Sequence, residues 1–163
     1  MPPTIPIAKP YFSEAQRRAI LDGIGQILAS GRVMLGPFAE RLERDFAAHT
    51  GTRHAVSVNS CTTALQICLE FLGARGGEVL VPAAAFTTDV SVARWGGAKP
   101  VLVDIDPATL AFDPDDLERK VTPRTKGLIW VHLTGLISPR WREIVDFARR
   151  RNLFLIEDCA HAH

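Results

Sequence analysis

Apolar positions change their spacing along this chain, and the change divides it. Early on they recur three or four residues apart: Ile20, Ile24, Ile27 and Leu28 in one stretch, Phe38, Leu42 and Phe46 in the next. That period is helical. "SEAQ" (Ser13 to Gln16) reads as a capping box opening the first helix, and Gly31 can close it. Pro37 suits the first turn of the second helix and Gly51 its end. From His54 the pattern becomes short apolar runs: "HAVSVN" (His54 to Asn59), "EVLVP" (Glu78 to Pro82), "PVLVDI" (Pro100 to Ile105), "GLIWVH" (Gly127 to His132) and "LFLIED" (Leu153 to Asp158). Between them the spacing predicts helices from Thr62 to Leu72, near Asp89 to Trp95, near Pro114 to Val121, and from Ser138 to Arg151. Strands apolar along their length, separated by amphipathic helices, pair in parallel with both faces covered. The expected fold class is α/β: a mostly parallel sheet with helices on both faces (α/β/α) and five strands. Residues 1–51 read as an N-terminal helical arm and 52–163 as the sheet-bearing domain.

Composition adds limits. The 163 residues are 47% apolar and 23% charged, which fits a packed core and excludes wholesale disorder. A net charge of +1 gives no reason to expect a nucleic-acid or membrane partner. The run Arg149 to Arg151 falls where a helix should end, where it complements the helix dipole. Three cysteines (Cys61, Cys68, Cys159) with no C-x-x-C pair suit a reducing compartment. No apolar run approaches a membrane span, and "MPPTIPIAKPYF" carries no visible secretion signal. A cytoplasmic location is expected.

Ligands of such sheets bind beyond the carboxyl ends of the strands. The residues there are "NSCTT", "PAAAFTTD", "DID", "HLTG" and "EDCAHAH". The turn at Ser60 to Thr63 can bind an anion through free N–H groups and the helix dipole, with hydroxyls from Ser60, Thr62 and Thr63; it also reads as an ordinary Ser/Thr cap. Phe86 could cover a planar heterocycle, or serve as a core aromatic. Asp158 leaves an apolar strand and needs a partner: a protonated ring nitrogen, an arginine or a metal. His161 and His163 could ligate zinc with Cys159 or Asp158, and with His132 from the neighbouring strand.

In this order the motifs resemble the DegT/DnrJ/StrS family of pyridoxal-phosphate-dependent sugar aminotransferases, of the aspartate-aminotransferase fold. The likeness runs through "SGRVMLGPFAERLERDFAAHTGTRHAVSVNSCTTAL", "GGEVLVPAAAFTTDVSVARWGGAKPVLVDIDPATLAFD", "VTPRTKGLIWVHLTG" and "LFLIEDCAHAH". It implies pyridoxal 5'-phosphate as cofactor, a cofactor that needs an anion site, a stacking surface and an acid partner for its ring nitrogen. By resemblance Thr62 and Thr63 match the phosphate-holding turn, Phe86 the stacking aromatic, and Asp158 the carboxylate that keeps the ring nitrogen protonated. His161 stands where the family usually has Gln, near the ring's phenolic oxygen. This accounts for the histidines without a metal and leaves His163 as an ordinary residue after the site. Two departures are Cys61 in place of the usual Gly and Ala85 where Thr is common.

The family holds its cofactor as a Schiff base on a lysine, and this chain has four: Lys9, Lys99, Lys120 and Lys126. Lys9 falls in the arm, Lys120 on a helix, and Lys99 and Lys126 just before strands, at the wrong edge. No catalytic residue is therefore assigned. The resemblance makes the chain an N-terminal half, an incomplete large domain of the transferase fold type I, without the Schiff-base Lys or the small C-terminal domain. In the full form it implies transfer of an amino group, with glutamate as donor, to a nucleotide-linked keto sugar, in a homodimer. Alone the chain should not transaminate. The other reading is a non-catalytic pyridoxal-phosphate-binding or assembly module that pairs with a separate C-terminal half. Strand His54 to Asn59 should lack its sheet neighbours, and the last strand should leave an apolar edge open.

Overall fold

The computed structural model describes Pro6 and residues 9–162. The chain divides into two compact units, one up to Ser57 and one from Val58.

The first unit holds two helices, α1 (Glu14–Ser30) and α2 (Pro37–Thr50). Ser13 and Gln16 form the expected capping box: the Gln16 N–H donates to Ser13 Oγ at 3.2 Å, and the Ser13 N–H to Gln16 Oε1 at 2.8 Å. Two orphan donors of the first turn are satisfied in this way. α2 begins at Pro37, which needs no N–H partner there, and both helices end at glycine, Gly31 and Gly51. Ser57 is tied back to α2, its N–H and Oγ donating to Glu43 Oε1 at 2.8 and 2.7 Å. Those bonds hold the Glu43 carboxyl below its usual range.

The second unit opens with helix α3 (Cys61–Phe71), followed by strand β1 (Glu78–Pro82), helix α4 (Thr87–Trp95), strand β2 (Lys99–Val103) and helix α5 (Pro114–Lys120). Strand β3 (Thr125–Val131), a 3-10 turn (Leu133–Gly135), helix α6 (Trp141–Arg150) and strand β4 (Phe154–Asp158) complete it. The sheet has order β2-β1-β3-β4 and every pairing is parallel. From β1 the chain steps to β2 on one side and then returns across β1 to β3 on the other. The carboxyl ends of β1 and β3 thus flank a topological switch point, where open sheets of this kind leave a crevice.

Alternating side chains build two cores. Leu65 and Leu69 of α3 and Val92 and Ala93 of α4 pack with Val79, Val81, Ile129, Val131 and Ile156. On the opposite face Leu117, Ile144 and Phe147 pack with Leu80, Val103, Leu128 and Trp130. Each fully buried Leu, Ile or Phe contributes roughly 1.5–3 kcal/mol, and coverage on both faces explains why β1 is apolar after its first residue, Glu78.

Two expectations are corrected. His54 to Asn59 forms no strand and pairs with nothing among the described residues, so the sheet has four strands. Alternating apolar residues favour extended backbone, but a ladder also needs a neighbour, and β4 pairs only with β3. The last helix starts at Trp141, not Ser138. Pro139 disfavours helical geometry at Ser138, whose hydroxyl instead accepts from the Arg140 N–H at 3.2 Å.

The amino-terminal rim of the sheet is clamped by one buried carboxylate. Glu78 accepts from Thr122 Oγ1 at 2.6 Å, from Arg124 at 2.7 Å and from Lys99 Nζ at 3.3 Å. These bonds, the Thr122 hydroxyl foremost, hold it down to about 2. Lys99 and Lys126 both start strands on this rim, and Lys120 ends α5.

Candidate functional site

At the opposite rim Asp158 ends β4, and its side chain enters the α3/α4 face beside Ile156. Asp158 Oδ1 accepts from the Ala160 N–H at 2.8 Å and from Cys61 Sγ at 3.5 Å. Cys61 opens α3, and Ser60 caps that helix by accepting from the Thr63 N–H at 3.2 Å. The strand end and the hydroxyl-bearing turn therefore share one rim. Between them lies a cavity of about 290 Å³ lined by Cys61, Thr62, Phe86, Thr88, Asp158 and His161, among others. Four of the five residues expected to hold a cofactor (Thr62, Phe86, Asp158, His161) meet there. The fifth, Thr63, is outside the wall, with its hydroxyl 3.1 Å from Ser60 Oγ.

Each wall has a local cause. Phe86 is the residue before α4, held out of the helix in extended conformation, and its ring stays 68% exposed. An exposed aromatic at a cavity mouth is available to a planar ligand. His161 is placed by the turn after β3: the Thr134 N–H donates to His161 Nδ1 at 3.2 Å, so the neutral ring carries its proton on Nε2. Gly135 backs this turn at φ 80, and a Cβ there would stand 2.9 Å from the His161 carbonyl oxygen. Cys61 is exposed as a residue, yet its sulfur faces a carboxylate. Desolvation and then Asp158 push the thiol up to about 11. It is a protonated hydrogen-bond donor at neutral pH, not a nucleophile.

Asp89 is the residue that sequence reasoning missed. It lies in the first turn of α4, is fully buried, and neither carboxyl oxygen has a hydrogen-bond donor among the described residues. The group within its reach is Asp158. Two ionised carboxylates cannot bond to each other; one proton between them makes the hydrogen bond. Burial first, and then the bond to Asp158 and its charge, push Asp89 up to about 7. Asp is common in first helical turns, so the sequence marks it only as a good helix start.

The metal-like residues are arranged differently from the expectation. On the other face of the sheet His132, Glu157 and Cys159 bring ligand-type atoms within 4.8 Å of one another, beside a cavity of about 680 Å³. His132 Nε2 and Glu157 Oε2 are paired directly at 2.8 Å, which accounts for their proximity. His161 is held by Thr134, Asp158 faces away from the trio, and His163 lies outside the described residues.

Comparison with known proteins gives the family and the fold. The model of the DegT/DnrJ/EryC1/StrS aminotransferase family matches residues 14–163. The spore coat polysaccharide biosynthesis protein SpsC of Bacillus subtilis is 39% identical over 94% of this chain and 39% of its own length. GDP-perosamine synthase of Caulobacter vibrioides is 38% identical over 98% of this chain and 42% of its own. The crystal structure of ntda from Bacillus subtilis, with bound cofactor PMP, superposes with a TM-score of 0.86 at 32% identity, covering 92% of this chain and 34% of that one. The chain thus spans about two fifths of the curated relatives it matches. The α/β fold expected from the sequence, part of the large domain of this transferase fold, is the fold these proteins share.

Proposed function

Because the chain belongs to the DegT/DnrJ/EryC1/StrS aminotransferase family, a family of pyridoxal-phosphate-dependent enzymes, we propose that it is the cofactor-cradling front portion of an aminotransferase acting on nucleotide-linked keto sugars. The observation that carries this reading is the Cys61–Asp158 contact, which brings the anion-binding turn and the acid partner to one cavity. The residues fit the group. The N-terminus of α3, with Thr62 and Thr63, offers N–H and hydroxyl donors to a phosphate. Phe86 would cover one ring face. Asp158, already oriented by Cys61 and Ala160, would hold a proton on the ring nitrogen, and the Nε2–H of His161 would be available to the ring's oxygen. Pyridoxal phosphate, when bound, supplies a ring that takes up the electrons of a substrate C–H bond.

The three lysines of the second unit lie at the other rim or on α5, away from this cavity. This supports a division in which the anchoring lysine comes from residues outside this sequence. Glutamate is the proposed donor. No helix of the described residues is long and apolar enough to cross a membrane. Cys61, Cys68 and Cys159 form no disulfide among the described residues, which supports a cytoplasmic site of action.

The test is direct. Fluorescence titration of the full chain with pyridoxamine phosphate, which cannot condense with surface lysines, should show saturable binding. Amino-donor turnover by the chain alone should be absent. Robust turnover would overturn the division, and absence of binding would overturn the cradle.

A second reading rests on β4, which has one strand neighbour among the described residues and so an open edge. On it, the chain is an assembly module completed by a separate C-terminal half. Co-expression with the back portion of a relative should then give a stable complex on gel filtration; monomer alone would count against it.

A further inference from the structure

We propose that Asp89 and Asp158 share one proton as a singly charged carboxyl pair, with Asp89 the positioning residue that fixes the orientation and charge Asp158 presents to its ligand. Asp89 is fully buried with both oxygens lacking donors among the described residues, while Asp158 lies within its reach. A buried carboxylate with no donor is costly, and two of them adjacent are costlier. A proton on Asp89 removes both penalties: its O–H donates to Asp158, whose Oδ1 already accepts from Cys61 and Ala160. The balance is one proton, two carboxyl groups and one negative charge.

The side chains around the pair offer Asp89 no hydrogen-bond donor among the described residues. The titratable groups facing the pair are Cys61 from α3, a protonated thiol, and His161 beyond Asp158; Cys159 lies on the other face of the sheet. The sheet side chains on this face, Val79, Val81, Ile129 and Val131, are apolar. The backbone N–H groups of Phe86 and Asp89 at the start of α4 favour a charged Asp89, but burial and Asp158 outweigh them.

The consequence for a ligand rests on the proposed function. A ring N–H⁺ bonded to Asp158 would cancel the charge that, after burial, helps keep Asp89 protonated, so the cofactor and the shared proton compete. Asp89 thereby limits how strongly Asp158 holds the ring proton.

Isotope-labelled aspartate carboxyl carbons in the full chain test both parts. Titrated from about pH 4 to about pH 9, a span covering ordinary and raised carboxyl ranges, one aspartate should change near neutral pH. That signal should vanish in Asp89→Asn, which keeps size and a donor and should stay folded. In Asp158→Asn it should move towards the ordinary range. Pyridoxamine phosphate should lower its midpoint by about one pH unit or more. If every aspartate titrates in the ordinary range, the shared proton is refuted. If a raised midpoint persists unchanged at saturating pyridoxamine phosphate, the link to the ring is refuted. If pyridoxamine phosphate does not bind at all, the cradle fails while the apo titration still decides the shared proton.

Discussion

Cys61 Sγ lies 3.5 Å from Asp158 Oδ1 across 97 positions of sequence. The contact joins the first residue of a helix to the last residue of a strand, and it keeps the thiol protonated. Iodoacetamide at about pH 8 should therefore alkylate Cys61 at least about tenfold more slowly than an unstructured cysteine, although the residue is exposed. Peptide mapping of a time course checks this. Asp158→Asn should restore part of the rate, because it removes the charge that opposes the thiolate but leaves the burial that is the larger cause.

Asp158→Asn should also weaken pyridoxamine phosphate binding by about tenfold or more, since a charge-assisted bond becomes a neutral one. The far-ultraviolet spectrum should be unchanged. Equal affinity in the two proteins would remove Asp158 from the ring-nitrogen role.

Glu78 sets the acid limit of stability. Its carboxyl has an ordinary value of 4.5 and sits near 2 in the fold, so the unfolded chain binds the proton more readily. The stabilisation is present in full above about 4.5 and is lost as pH falls through about 2. Glu78→Ala should cost about 2 kcal/mol at neutral pH, part of the loss being spared because Arg124 and Lys99 stay solvated. Urea denaturation at a series of pH values should show the acid slope reduced in the variant.

Gly135→Ala should act at a distance of one turn. Its φ of 80 and the 2.9 Å approach to the His161 carbonyl leave no room for a methyl group. The expected cost is about 1–2 kcal/mol, with a matching fall in pyridoxamine phosphate affinity as His161 shifts. Thermal melting and the same titration measure the two effects separately.

Much of this architecture is legible in the residues, and the parts that are not share a cause. Helix ends were readable because caps are local: Ser13 with Gln16, Pro37 and Gly51 each do their work within one turn. β1 was readable because a strand buried on both faces is a continuous apolar run, Val79 to Val81, bounded by Glu78 and Pro82. His54 to Asn59 misled because alternation reports a tendency, while pairing depends on a neighbour. Thr62, Phe86 and Asp158 could be named because strand ends collect on one rim, and His161 could be named for the cofactor only through the family resemblance. Asp89 could not, since nothing around it in sequence says that α4 packs it against a second acid.

Glu78 and the Asp158 cavity occupy opposite ends of strands only five to seven residues long. The end that Glu78 clamps is therefore not the end that carries the proposed cradle. Substitutions that retune which molecule is accepted can accumulate on one side without loosening the other, so a lineage carrying this scaffold is free to diversify its chemistry while inheriting its durability.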